Sequence, residues 1–205
     1  MKVLLVNGSP RKNGCTNKAL ETVAAALNAE GVETEIFWLG TQPINDCIAC
    51  GKCREAGGCV IPDVVNELVE KAKEADGYVF GGPVYYAHPC ARLLSAMDRA
   101  FYSAGKVFRF KPAAAVVSAR RAGTTASMDA IMKHFTISQM PVVSANYWNA
   151  VHGNNAEEVA QDQEGLDTMT AIGRNMAWLL KCIQAGRQQG IDHPVNEKVF
   201  TNFIR

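Results

Sequence analysis

Segments typical of strands and of helices alternate along the chain, and this alternation limits the fold more than any other feature. Residues 2–6 form a short apolar run of branched side chains, as expected of a strand buried on both faces. Residues 16–30 repeat apolar positions at helical spacing, and residues 33–39 alternate as a second strand. Further strands are predicted at 78–80, 113–117 and 141–143, and further helices after Asp63 and at 91–101, 124–135 and 166–183. Strict alternation predicts a doubly wound α/β fold with a parallel sheet.

The bulk properties indicate one globular domain that binds a small ligand. The chain has 205 residues and a formal net charge of +1, with acidic and basic residues interspersed. We therefore expect neither nucleic acid nor a membrane as partner. The apolar run at the start is too short for a signal peptide and no stretch is long enough to span a bilayer, so we expect a cytoplasmic location. The predicted domain covers residues 1–187, with a cysteine-rich loop at 45–62 and a C-terminal tail at 188–205.

The loop between the first strand and the first helix has the composition of a phosphate-binding loop. It is not a Walker loop, because five residues rather than four separate Gly8 from Gly14 and no Lys-Ser or Lys-Thr follows. Its glycine spacing does not match the GxGxxG motif either. It offers free backbone N–H groups at a helix amino terminus, and the side chains of Ser9, Arg11, Lys12, Thr16 and Asn17. These groups suit one terminal phosphate. The alternative is an ordinary strand-to-helix turn that Thr16 caps.

The loops after the third and fourth strands have features of a platform for a flat heterocycle. Pro83, Val84, Tyr85 and Tyr86 combine a fixed backbone path with two adjacent aromatic rings. The alternative is that the two tyrosines only pack in a turn. The next loop contains small residues where backbone can approach a ligand, and Arg120 or Arg121 can place positive charge near it. The candidate ligand-binding residues of this loop are Ser118, Ala119, Arg120 and Gly123.

Four of the seven cysteines lie in one short segment. Cys47, Cys50 and Cys53 follow one another at intervals of three, and Cys59 comes six residues later. Such spacing can wrap thiolates around one [4Fe–4S] cluster, as compact ferredoxin motifs do. Zinc fits less well, since structural zinc usually takes ligands from two separated knuckles. The alternative is that the cysteines are free thiols.

The order of these motifs resembles that of flavodoxin-like NAD(P)H-dependent FMN reductases and, more closely, iron–sulfur flavoproteins. Three parts carry the resemblance: the first loop, the stretch from Pro83 to Tyr86 and the cysteine spacing. It implies a five-stranded sheet in the order 2-1-3-4-5, with FMN phosphate in the first loop and the isoalloxazine ring along the second. Cys15 stands in that first loop where the pattern often has Asn or Ser, and we count it among the FMN-binding residues.

The resemblance also implies an activity. FMN would take electrons from NAD(P)H or from ferredoxin, in the latter case through a [4Fe–4S] cluster, and pass them to a quinone, an oxygen species or another small-molecule acceptor. It further implies a homodimer or homotetramer. Because the flavin performs the chemistry, no residue is assigned as a general acid or base. Two alternatives are a non-enzymatic electron carrier of the flavodoxin type and a flavin-free cysteine redox sensor or metal-binding protein.

Overall fold

The computed structural model describes residues 1–195, 199 and 201. The strands are β1 (Lys2–Asn7), β2 (Glu33–Trp38), β3 (Gly77–Tyr85), β4 (His88–Pro89), β5 (Ala113–Ala119) and β6 (Ala150–His152). The helices are α1 (Cys15–Ala29), α2 (Cys53–Ala56), α3 (Val64–Lys73), α4 (Ala91–Phe108), α5 (Thr124–Ile137), α6 (Ala156–Val159) and α7 (Gln163–Gln188).

The sheet is parallel and covered by helices on both faces. Its main path runs β2-β1-β3-β5-β6, and the short β4 pairs antiparallel with the end of β3. Successive residues of β1 point to opposite faces, so Leu4 and Val6 pack towards α3, α4 and α5. Val3 and Leu5 pack towards α1 and α7 on the other face. The predicted flavodoxin-like α/β fold is therefore confirmed. When the five parallel strands alone are numbered along the chain, their order in the sheet is the expected 2-1-3-4-5.

The position predicted for the fifth strand is wrong. Residues 141–143 form only an isolated bridge, in which Val142 lies opposite Ala113. Pro141 has no N–H to donate, and after Val143 the chain leaves the sheet edge. It returns as β6, where Ala150 pairs with Val117. The edge beside β5 is thus shared by two short segments, and the second of them ends beside the loops predicted to bind a ligand.

Other differences concern element lengths. Helix α4 continues seven residues beyond the predicted 91–101 and contains non-helical backbone at Ala104. The short elements β4, α2 and α6 were not predicted. Within the part of the chain that the structure describes, none of the helices is both long and apolar enough to cross a bilayer. Of the tail predicted at 188–205, residues 196–198, 200 and 202–205 lie outside the described residues.

Candidate functional site

A pocket of about 170 Å³ lies at the carboxyl ends of the parallel strands. This edge is where doubly wound sheets bind ligands. The structure brings together ten of the thirteen residues predicted to bind a cofactor, and they come from all three predicted loops. They are Ser9, Arg11, Cys15, Thr16, Pro83, Val84, Tyr85, Ser118, Ala119 and Arg120. Asn17, Tyr86 and Gly123, which are all among the described residues, do not line the pocket.

Asn7, the last residue of β1, shapes the first loop. Its side chain is fully buried; Oδ1 accepts from the backbone N–H of Ser9 at 2.9 Å, and Nδ2 donates to the carbonyl of Lys12 at 3.2 Å. Nδ2 also donates to Oδ1 of Asn17 at 3.2 Å, so Asn17 supports the loop from outside the pocket. Trp38 at the end of β2 donates from Nε1 to the carbonyl of Ser9 at 2.7 Å. The loop is therefore held in shape by protein contacts.

Helix α1 begins at the pocket with its first N–H groups free of a side-chain cap. The cap position is Gly14, which has no side chain, and the first intrahelical bond runs from Lys18 N–H to the Gly14 carbonyl at 3.1 Å. Thr16 does not cap the helix, because its hydroxyl lies 2.8 Å from that of Ser118 at the end of β5. The turn therefore leaves an anion-binding helix end open, contrary to the alternative of a Thr16-capped turn.

Cys15 and the end of β6 form one wall of the pocket. The Cys15 thiol donates to the carbonyl of Gly153 at 3.5 Å, and burial raises the pKa of this thiol. Cys15 is therefore a neutral side chain at neutral pH, which suits a wall beside an anion. Gly153 and Asn154 also line the pocket and were not predicted. Both residues directly follow β6, so they could be predicted only if the position of that strand were known.

The second loop is a tight turn between β3 and β4. Tyr85 lines the pocket and is about half exposed, at 48%. Tyr86 has a left-handed backbone, with φ of 61°, and its side chain is fully exposed to solvent. The two adjacent tyrosines are thus separated, and only the first lies in the pocket. Gly123 packs closely against this turn, and a Cβ on it would stand 2.8 Å from Cγ1 of Val84.

The third loop distinguishes two neighbouring arginines. Both side chains are exposed, but Arg120 lines the pocket and Arg121 does not. Glu158 faces this region, and hydrogen bonds from Asn154 lower the pKa of its carboxyl, with a smaller contribution from Arg120. The site therefore has cationic groups at Arg11 and Arg120.

Leu93 of α4 fixes how closely the first two loops approach the core. A Cβ on Gly8 would lie 2.7 Å from Cβ of Leu93, and one on Gly82 would lie 2.8 Å from its Cδ2. The buried thiol of Cys90 donates to the Gly8 carbonyl at 3.3 Å. Gly8 therefore has no room for a side chain, and α4 forms the base under the first two loops.

The four clustered cysteines line a second cavity of about 260 Å³. Arg99 and Tyr102 of α4 also line it. Cys47 and Cys50 are exposed, and Cys53 and Cys59 are half-buried. Among the described residues, no three His, Cys, Asp or Glu side chains converge as the ligands of one metal ion would. The predicted cluster ligands thus share one cavity, and their sulfur atoms do not form a closed ligand set.

Comparisons with known proteins agree with the fold and with the family that the motifs resemble. Residues 1–155 match the family model described as NADPH-dependent FMN reductase. An iron–sulfur flavoprotein of Methanocaldococcus jannaschii is 35% identical over 90% of this chain and 100% of that protein. Among solved structures, a flavone reductase has a TM-score of 0.68 at 18% identity, covering 90% of this chain and 64% of that one. An archaeal flavodoxin has a TM-score of 0.61 at 15% identity, covering 88% and 99%.

The two solved structures show the fold alone, whereas the family match and the curated relative extend to sequence. The family match, over residues 1–155, includes the strands and loops that build both pockets. The resemblance to FMN reductases and iron–sulfur flavoproteins, which the sequence motifs indicate, is confirmed. The chain belongs to the family of NADPH-dependent FMN reductases and iron–sulfur flavoproteins, and it is an oxidoreductase.

Proposed function

We propose that the pocket at the carboxyl ends of the strands binds FMN and that the enzyme uses it to transfer electrons to a small-molecule acceptor. The observation that carries this proposal is the convergence of three loops, distant in sequence, on one pocket at an open helix amino terminus. The side chains there are hydroxyls, small residues, an aromatic ring and two arginines, which suit a phosphate and a flat heterocycle.

Each loop has a separate task in this proposal. Ser9, Thr16 and the first N–H groups of α1 would hold the phosphate, with Arg11 balancing its charge. Pro83, Val84 and Tyr85 would lie along the ring. Ser118, Ala119 and Arg120 would close the opposite side, where Arg120 places positive charge. Bound there, FMN supplies hydride and electron transfer, while the protein binds and orients it.

We further propose NAD(P)H or ferredoxin as the electron donor and a quinone, an oxygen species or a similar small molecule as the acceptor. The family match to NADPH-dependent reductases supports a nicotinamide donor. Tyr85, about half exposed, leaves the ring side of the pocket open to solvent. Donor and acceptor can then alternate at the same open face.

The four-cysteine cavity is proposed to hold a [4Fe–4S] cluster. Its donor set of four cysteines matches what such clusters take, and all four side chains line one cavity. Loop movement would be needed to bring the sulfur atoms together, and Gly51 and Gly57, both with positive φ, lie between the cysteines. None of the seven cysteines, all of which the structure describes, forms a disulfide, which favours a reducing compartment such as the cytoplasm.

We also propose that the protein is a homodimer or homotetramer. Tyr147 and Trp148 are large exposed side chains beside the sheet edge, and Trp178 is exposed on α7. Exposed aromatic groups of this size are enriched at protein interfaces. Sedimentation of the flavin-loaded protein tests this, and a monomer at micromolar concentration would contradict it.

Anaerobic purification followed by three measurements tests the proposed function. We expect FMN to bind stoichiometrically on titration, NAD(P)H to be oxidised only when an acceptor is present, and iron and inorganic sulfide to co-purify. Cys50→Ser should lose the iron, and Cys182→Ser, an exposed cysteine outside the cavity, should keep it. Folded protein that takes up no FMN would overturn the flavin proposal, and full iron retention in Cys50→Ser would overturn this ligand assignment.

A further inference from the structure

Arg99 is the largest side chain that the fold buries completely, with 1% of its surface exposed. An arginine on an amphipathic helix normally faces solvent, so its burial calls for a reason. Its guanidinium has five N–H donors, and the structure gives it five acceptor contacts. Burial without pairing would be strongly unfavourable, and here every donor is occupied.

Two of these contacts form a bidentate pair with Asp63. Nη1 donates to Oδ2 at 2.5 Å and Nη2 to Oδ1 at 2.9 Å. Asp63 is also the N-cap of α3, where Oδ1 accepts from the N–H of Val65 at 3.0 Å. The ion pair therefore connects α4 to the start of α3.

The other three contacts go to the segment that carries the cysteines. Nη1 donates to the carbonyl of Asn45 at 3.3 Å, and Asn45 lies two residues before the first cysteine. Nη2 donates to the carbonyl of Ile61 at 3.0 Å, two residues after the last cysteine. One side chain from α4 thus holds both ends of the cysteine segment.

The remaining donor reaches a cysteine directly. Nε donates to Sγ of Cys59 at 3.3 Å. One turn further along α4, the Cys53 thiol lies 4.0 Å from the carbonyl of Tyr102. The carbonyl of Cys59 accepts from Nδ2 of Asn66 at 2.9 Å, which fixes its backbone as well. Cys59 is thus held from two helices, whereas Cys47 and Cys50 are exposed.

We propose that Arg99 is the positioning residue of the cysteine cavity. It holds the segment 45–62 in place before any group binds there, and it presents a charged N–H donor to the sulfur of Cys59. The first part concerns the protein alone; the second rests on the proposed function, in which the four cysteines hold a [4Fe–4S] cluster. Cys59 is then the fixed ligand, and the segment from Cys47 to Cys53 closes towards it.

Hydrogen exchange of the metal-free protein tests the first part. Arg99→Lys keeps a charge beside Asp63, but a single ammonium cannot reach five acceptors at once. We expect peptides within 45–62 to exchange about tenfold faster, because one or two hydrogen bonds of average strength are lost there. Exchange in β1 and α1 should stay unchanged.

Arg92→Lys is the matched control. Arg92 lies on the same helix and also donates to backbone carbonyls that follow β2, those of Thr41 at 2.9 Å and Gln42 at 2.6 Å. Among the described residues it donates no hydrogen bond to a cysteine, and Arg92→Lys should leave exchange in 45–62 unchanged. If Arg99→Lys does not fold, the double variant Arg99→Met with Asp63→Asn replaces it, since this removes both buried charges and asparagine keeps the cap. Unchanged exchange in the folded variant would overturn the positioning role.

Redox titration after anaerobic reconstitution with iron and sulfide tests the second part. Hydrogen bonds to ligand sulfur favour the reduced state of a cluster. The double variant, which lacks the donor to Cys59, should therefore show a lower midpoint potential than wild type, and Arg92→Lys should not. An unchanged potential would overturn the role of the donor. Wild-type protein that binds no iron would overturn both the cluster and the donor role, while the exchange data would still decide the positioning role.

Discussion

The hydroxyl oxygens of Thr16 and Ser118 lie 2.8 Å apart, and both side chains are buried. Thr16 is in the first turn of α1 and Ser118 is near the end of β5, so this contact joins two of the loops that line the pocket. Each hydroxyl can rotate and offer its remaining donor or acceptor capacity to a ligand. The pair therefore connects the shape of the pocket with the phosphate binding that we propose for it.

Ser118→Ala should weaken FMN binding about tenfold, because Thr16 loses its partner and turns away from the phosphate position. Flavin fluorescence titration measures this change. Thr170→Val is the control, since the hydroxyl of Thr170 in α7 donates to the carbonyl of Leu166 in the same helix, away from the pocket lining. Equal affinity for wild type and Ser118→Ala would contradict the prediction.

Arg120→Gln should raise the FMN dissociation constant about three- to tenfold at low ionic strength, with a smaller effect in high salt. The reason is the loss of one positive charge from the lining. Arg121→Gln removes the same charge one residue later, outside the lining, and should bind FMN as wild type does. Equal effects of the two substitutions would mean that only the overall charge matters.

Gly123→Ala should displace the turn that carries Tyr85. The backbone at Gly123 has φ of 86°, and an added Cβ would stand 2.8 Å from Cγ1 of Val84. We expect a loss of about 1–3 kcal/mol in the free energy of unfolding, together with weaker FMN binding. Gly105→Ala in α4 meets nothing within 4 Å and should stabilise the protein by up to about 1 kcal/mol. Chemical denaturation of both variants measures the contrast.

Glu35 should contribute to stability at neutral pH and lose this contribution in acid. Hydrogen bonds from Lys71 and Lys2 lower the pKa of its carboxyl below the usual 4.5. A lowered folded-state pKa gives stability that is complete above 4.5 and disappears as the pH falls through the folded value. Glu35→Gln should cost about 0.5–1 kcal/mol at pH 7, since the pair is partly exposed. Urea denaturation in acid should show little difference in the free energy of unfolding between wild type and Glu35→Gln.

The fold and most of the pocket could be predicted because their signals are local. The apolar run of β1, the helical spacing of α1 and the loop between them are neighbours in sequence, so one segment specifies two elements and a loop that lines the pocket. The turn at Pro83 and Tyr85 was similarly visible from residue types.

The rest depended on long-range contacts. Residue types alone predict the fifth strand at 141–143, whereas pairing along β5 selects Ala150–His152. With that strand misplaced, Gly153 and Asn154 could not be found. Arg99 was missed for the same reason, because its partner Asp63 lies 36 residues earlier and nothing local marks a buried arginine.

Helix α4 has a consequence for the relation between the two cavities. Leu93 lies under the first loop and Arg99 under the cysteines, six residues apart on one helix, which corresponds to a rise of about 9 Å. The helix therefore sets the spacing of the two cavities, independently of loop length. Insertions in the surface segments would alter access to either cavity, whereas one residue added between Leu93 and Arg99 would rotate one of them by about 100° around the helix axis relative to the other.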